Sequence, residues 1–323
     1  MTNLKLKIWS DITWPETVPM LRAGTGEHQL TLSTGKSGQA PAADSGPLTE
    51  AEVLFGQPDP ELVRQSTGLR WLHVSSAGYE KYDSEEMREF LRRRGAVMTT
   101  SSAVYSEPCA QHLLALITGL ARRIPPSVQA QLHDHSWPMT KLRAEAYLLN
   151  QQTALILGFG AIAKRMVELL TPLGMRLIAV RRRPDGTEPI KIVTESELES
   201  ALGTADHVLN VLPANPGTAK YFDSVRFEQM KPGAIFYNIG RGATVNQDAL
   251  LAALQSGRLA AAYLDVTTPE PLPPNHPLWT APNCYITPHT AGGHMDEKER
   301  VVRHFLDNLG RFVGGNDLKD RIF

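Results

Sequence analysis

Residues 153–163 read TALILGFGAIA, from Thr153 to Ala163. Five apolar or β-branched residues run into Gly158-Phe159-Gly160-Ala161-Ile162-Ala163, and a helical pattern follows with Ile162, Met166, Leu169, Leu170 and Leu173 on one side. A strand, a GxGxxA turn and a helix in that order form a cradle for a pyrophosphate. Gly158 permits the sharp turn, Gly160 lets backbone amides approach the phosphates, and a small Ala163 lets the helix pack on the strand. Phe159, Ala161 and Ile162 complete the turn and the positively polarised helix start. The stretch therefore predicts a dinucleotide-binding α/β domain.

Working outward, Met175 to Val180 reads as the next strand, and further strands are expected at His207 to Leu212, Ala234 to Asn238, Ala260 to Asp265 and Cys284 to Thr287. Lys231-Pro232-Gly233 carries a type II turn signal. This βαβ series implies a doubly wound parallel sheet. The second strand ends Val180-Arg181-Arg182-Arg183-Pro184, with Asp185 beyond the proline. An acid at such a strand end would bind a ribose 2′-hydroxyl, whereas a guanidinium offers charge-assisted bidentate bonding to a 2′-phosphate. Arg181 and Arg182 therefore favour NADP, with NAD possible. The alternative is a solvated basic turn.

The N-terminal half is less informative. Its first 50 residues carry short apolar pieces and a Ser33 to Pro47 stretch read as a surface loop, with no sign of chemistry. Short apolar runs then recur at Ala51 to Phe55, Leu69 to Val74 and Ala96 to Thr100, with a charged helix over Ser84 to Arg94, implying a second parallel sheet. Pro108 reads as the opening of a helix filled by Leu113, Leu114, Leu116, Ile117 and Leu120, ending before Pro125-Pro126. Asp296 to Phe312 reads as an amphipathic helix.

Composition narrows the function classes. The 323 residues suffice for about two domains, and 33 Lys plus Arg nearly cancel 34 Asp plus Glu, so no overall field points to nucleic acid. Cys109 and Cys284 make no disulfide framework or metal cluster. With no apolar membrane run and no signal-peptide core, a cytoplasmic protein without nucleic-acid, membrane or metal partners is expected.

Three phrases carry the chemistry: Asn238-Ile239-Gly240-Arg241-Gly242, Leu264-Asp265-Val266-Thr267-Thr268-Pro269-Glu270-Pro271, and Thr287-Pro288-His289-Thr290-Ala291-Gly292. Each follows an expected strand, which puts Arg241, Glu270 and His289 on loops at the carboxyl edge of the sheet, where such sheets bind ligands. One cation, one carboxylate and one imidazole make a workable acid–base set.

These phrases, with GFGAIA, closely resemble the signatures of the D-isomer-specific 2-hydroxyacid dehydrogenase family, over roughly Ala51 to Phe312. The resemblance implies a Rossmann cofactor domain at residues 103–290 and a discontinuous, flavodoxin-like substrate domain at 1–102 and 291–323. It implies Arg241 as the group holding the substrate carboxylate and carbonyl, His289 as the general acid–base and Glu270 as its partner. Ala77 and Gly78, in Ser75-Ser76-Ala77-Gly78, would hold the carboxylate through backbone amides. Leu212, Pro213, Thr218 and Asp265 would join the cofactor-binding set, and Arg123 to Asn150 would pack against a second subunit of a homodimer. Arg241 would polarise a 2-keto acid for hydride attack while His289, kept an acid by Glu270, supplies the proton. Glyoxylate or hydroxypyruvate reduction is the expected activity. The same fold also serves phosphoglycerate, formate and phosphite dehydrogenases and nicotinamide-gated corepressor dimers; no regulatory domain after Phe312 disfavours the longer phosphoglycerate type.

Overall fold

The computed structural model describes residues 5–35, 45–184 and 186–323. The chain divides into two compact units, Met1–Tyr105 with His294–Phe323, and Ser106–Gly293.

In the first unit, strands β1 (Lys7–Ser10), β2 (Gln29–Leu32), β3 (Val53–Gly56), β4 (Trp71–Val74) and β5 (Val97–Thr99) form an all-parallel sheet in the order β2-β1-β3-β4-β5. That is the flavodoxin-like strand order. Every residue of β3 and β4 is buried, as expected of parallel strands covered on both faces. The helix Glu85–Arg94 starts where Ser84 Oγ accepts from the Met87 amide and stops at left-handed Gly95, with Glu85 and Glu86 in its first turn and three arginines in its last. The helix Glu297–Val313 buries Val301, Val302, Phe305 and Leu309 beside Ile8, Phe55 and Trp71, and the Phe305 ring stacks on Phe55 at 4.0 Å.

The second unit is built on β6 (Thr153–Leu157), β7 (Arg176–Val180), β8 (Lys191–Val193), β9 (His207–Asn210), β10 (Ala234–Asn238), β11 (Leu259–Leu264) and β12 (Cys284–Ile286). Their order is β12-β11-β10-β9-β6-β7-β8, all parallel. The sheet winds both ways from β6, so the chain reverses direction between β6 and β9 and opens a crevice at their carboxyl ends. Leu155, Val208, Phe222 and Phe236 share the core on one face. Before β10, Gly233 at φ +79 and the Ala234 amide donating to the Lys231 carbonyl make the expected type II turn.

Several expectations need correction. The first 50 residues, read as short apolar pieces, contribute β1 and β2, and β1 lies inside its sheet; a strand only four residues long, opening on Lys7, gives its buried Ile8 and Trp9 too short a pattern to stand out. Pro47 lies in the helix Ser45–Glu50, while residues 36–44 of the expected loop, like Asp185, lie outside the described residues. The helix attributed to Pro108 begins at Ser102 and encloses that proline, which costs it one backbone donor. The same helix does end before Pro125-Pro126, at Ala121, and those prolines open a further helix, Ile124–His133, where their missing N–H groups are harmless. The segment Lys191–Val193, unread in the sequence, is an edge strand.

Candidate active site

All the geometry of the dinucleotide cradle lies within the second unit. Gly158 adopts φ +96, a conformation that side chains disfavour. Gly160 caps the helix Ala161–Leu170 without a side-chain hydrogen bond, and a Cβ built there would meet nothing within 4 Å. The helix amides, Ala161 and Ile162 at their head, are thus open to an anion. Alongside lies a cleft of about 970 Å³ whose walls include Gly158, Phe159, Arg181, Arg182, Leu212, Pro213 and Thr218. Thr218 donates its hydroxyl to the Pro213 carbonyl at 2.6 Å and so folds the 213–218 turn. Glycines, an uncapped helix start and cationic walls fit a phosphorylated dinucleotide.

The arginine turn is more ordered than its sequence suggests. Arg181 Nη1 donates to Glu188 Oε1 at 2.6 Å, and Glu188 Oε2 accepts from the Gly186 amide at 2.9 Å. The Glu188 side chain is 4% exposed. Arg182 and Arg183 are exposed at the cleft and make no ion pair among the described residues.

Arg241 is positioned by close packing and by two buried asparagines. A Cβ on Gly240 would sit 2.5 Å from the Leu212 carbonyl oxygen, and one on Gly242 would overlap the Thr267 backbone. The residues flanking Arg241 are therefore clamped between the 211–212 and 267 chains, which only glycine allows. Asn210 Nδ2 donates to Asn238 Oδ1 and Thr244 Oγ1, while Asn238 Nδ2 and Thr244 Oγ1 both donate to the Arg241 carbonyl. The Arg241 side chain turns back to donate from Nη1 to the Gly240 carbonyl at 2.8 Å.

His289 and Glu270 are brought together. His289 Nδ1 lies 2.7 Å from Glu270 Oε2, and the other carboxylate oxygen accepts from the Thr267 amide at 2.9 Å. With Nδ1 so engaged, the exposed imidazole presents Nε2 for proton exchange. His289 itself adopts φ +53. Asp265 holds that loop: its backbone oxygen accepts the His289 amide, Oδ1 accepts the Thr290 amide and Oδ2 the Ala291 amide. Its carboxylate is buried and taken up by these bonds.

Ala77 and Gly78 belong to the first unit, on the loop after β4. Gln57 Nε2 donates to Ser76 Oγ at 2.8 Å, and Ser76 Oγ donates to the Gly78 carbonyl at 2.5 Å. Among the described residues the amides of Ala77 and Gly78 have no protein acceptor. Sequence reading missed Asn210, Gln57 and His112, whose roles arise from contacts far along the chain, and Glu188, whose partners Arg181 and Gly186 lie close by in the same turn. Asparagines at the ends of adjacent strands were the one available hint.

The NAD-binding domain model of the D-isomer specific 2-hydroxyacid dehydrogenases matches residues 114–291. The chain belongs to that family. It is therefore an oxidoreductase of 2-hydroxy acids with a nicotinamide-binding domain. It is 34% identical over 244 residues to the glyoxylate reductase/hydroxypyruvate reductase of Mus musculus, covering 75% of this chain and 73% of that protein. Glyoxylate/hydroxypyruvate reductase B of Klebsiella pneumoniae is 31% identical over 278 residues, 83% of this chain and 84% of that one. The crystal structure of TT0316 protein from Thermus thermophilus superposes with a TM-score of 0.76 at 29% identity, covering 98% of this chain and 99% of that chain. Among the described residues no helix is long and apolar enough to cross a membrane, and no group of three or more His, Cys, Asp or Glu could hold a metal.

Proposed function

We propose that the protein reduces a small 2-keto acid, glyoxylate or hydroxypyruvate, to the D-2-hydroxy acid with NADPH, and acts as a homodimer. The observation that carries this reading is the 2.7 Å pairing of His289 with Glu270 in the unit that also presents the clamped Arg241. An acid–base group and a carboxylate clamp are what keto-acid reduction asks of a protein. The bound nicotinamide would supply the hydride.

The chain's own residues would do the rest. The amides from Gly160 onward, with Ala161 and Ile162, hold the pyrophosphate, and Arg181 and Arg182 recognise the 2′-phosphate. Leu212, Pro213, Thr218 and Asp265 shape the remainder of the cofactor site. Arg241 binds the substrate carboxylate and draws charge from the carbonyl. His289 donates the proton from Nε2 as the oxygen becomes negative, and Glu270 stabilises the imidazolium before the transfer. Ala77 and Gly78 are assigned to substrate binding through their amides, with residues 1–102 and 291–323 as the substrate-binding part and 103–290 as the cofactor-binding part.

The dimer rests on residues 123–150. The helices Ile124–His133 and Met139–Glu145 bury none of their own residues, and Leu132, Trp137, Met139 and Leu148 are 70%, 89%, 52% and 67% exposed. So much apolar surface on one segment suits a partner subunit. Turnover of glyoxylate, hydroxypyruvate, pyruvate and phenylpyruvate, each with NADPH and NADH, tests the reading. Preference for the two smaller polar substrates with NADPH supports it; no turnover of any keto acid with either cofactor rejects it.

A further inference from the structure

Behind the loop that carries His289 lies a second histidine. His112, on the helix Ser102–Ala121, has its Nε2 3.2 Å from Thr287 Oγ1 and 3.8 Å from Asp265 Oδ1. Thr287 Oγ1 in turn donates to Asp265 Oδ1 at 2.6 Å. The direction of this chain follows from donor counting. Asp265 is an acceptor, so the single Thr287 proton points to it, and the hydroxyl's lone pairs are left to accept from His112 Nε2–H. Burial pushes the His112 imidazole down from its ordinary value, with Asp265 opposing, which fits a neutral ring protonated on Nε2.

Asp265 is where the chain acts. Its backbone oxygen takes the His289 amide and its two carboxylate oxygens take the amides of Thr290 and Ala291. The loop is thus held at three consecutive residues, including His289 at φ +53, a conformation uncommon for any residue with a side chain. The orientation of one carboxylate fixes the presentation of His289, and the Thr287 hydroxyl fixes that carboxylate. Tyr263 meets the His112 ring edge-on at 6.1 Å and limits its rotation.

We infer that His112 is a positioning residue for the reaction: through Thr287 it holds Asp265, and through Asp265 it holds the His289 loop in its proton-donating pose. The inference rests on the proposed role of His289. It assigns His112 no contact with substrate or cofactor.

Three variants test it: His112→Phe, which keeps the bulk and removes the donor; His112→Gln, which restores a donor of similar reach; and Thr287→Val, which breaks the chain from the other side. In the cofactor-free protein, amide hydrogen exchange at residues 289–291 should quicken several-fold in His112→Phe and Thr287→Val and stay near wild type in His112→Gln. With hydroxypyruvate and NADPH, kcat should fall roughly three- to tenfold in the first two, as expected for one hydrogen bond. KM should hold within about twofold, since the loss falls on positioning rather than binding. His112→Phe/Thr287→Val should be no slower than Thr287→Val alone, because both break one chain. Wild-type exchange and kcat in Thr287→Val, or a His112→Gln as impaired as His112→Phe, would overturn the inference. The exchange measurement needs no turnover, so an inactive wild type rejects the role of His289 and with it the functional part, while exchange still reports on the chain of bonds.

Discussion

Glu188 accepts a 2.6 Å hydrogen bond from Arg181 Nη1 while its other carboxylate oxygen holds the Gly186 amide. The two residues close the turn after β7 into a ring on the wall of the cleft. Arg181 is thereby braced in place, and Arg182 stands beside it in solvent.

The cofactor preference should follow from this arrangement. Arg182→Ala removes an exposed cation and Arg181→Asp both removes a cation and sets a carboxylate against Glu188. Losing a charge-assisted contact costs about 1.5–3 kcal/mol, so the ratio of kcat/KM for NADPH over NADH should drop by about one to two decades in each. Equal use of the two cofactors by the wild type, or unchanged ratios in both variants, would remove the arginines from phosphate recognition.

Arg241→Ala should cut keto-acid turnover by about two decades or more, in line with the loss of a charge-assisted clamp. NADPH binding followed by nicotinamide fluorescence should stay within a few fold. Lysine at the position should rescue only partly, since a point charge cannot present the planar fork. Near-normal turnover in the alanine variant would make Arg241 a structural residue.

Gly242→Ala tests the clamp on that arginine without touching its charge. The added methyl overlaps the Thr267 backbone, so the loop must shift. A stability loss of about 1–3 kcal/mol is expected, with a larger relative loss of kcat, because overpacking moves the Arg241 backbone. Unaltered activity at wild-type stability would show that the loop tolerates displacement.

Acid sensitivity should come in part from His207, on β9. Its Nδ1 lies 3.0 Å from the Tyr237 hydroxyl, and burial pushes the imidazole down to about 4. The unfolded chain binds the proton at about 6.5, so between these values it holds more protons than the folded one. The contribution to stability is complete above about pH 6.5 and is lost as pH falls toward 4, for a total of about 3 kcal/mol. Denaturant midpoints measured across that window should decline, and His207→Phe should flatten the decline. An equal slope in the variant would place the effect elsewhere.

Much of the second unit was legible because its chemistry sits in short, local phrases. TALILGFGAIA announces strand, turn and helix together, and Arg241, Glu270 and His289 each follow a strand of clear apolar character. The 2.7 Å approach of His289 to Glu270 joins residues that the strand pattern placed on loops at the sheet edge and that only the family resemblance paired. What stayed hidden was set by how the chain folds back on itself. Within one turn, Glu188 looks like a solvated charge until Arg181 is seen against it, and across the domain, His112 looks like a helix-face residue until Thr287 arrives from 175 residues on. Pro108 misled because a proline most often starts a helix, whereas here buried Ala110, Leu113 and Ile117 hold the helix together around it.

The most direct test is isotopic: NADPH deuterated at the transferring position of the nicotinamide, mixed with hydroxypyruvate and the wild-type, His289→Ala or Glu270→Gln protein. The wild type should deliver the deuterium to C2 of D-glycerate, His289→Ala should lose nearly all transfer, and Glu270→Gln should retain a reduced rate, lower by about one decade as for loss of a partner to a general acid. No deuterium at C2, delivery to the L product, or full transfer by His289→Ala would contradict hydride reduction with His289 as the acid.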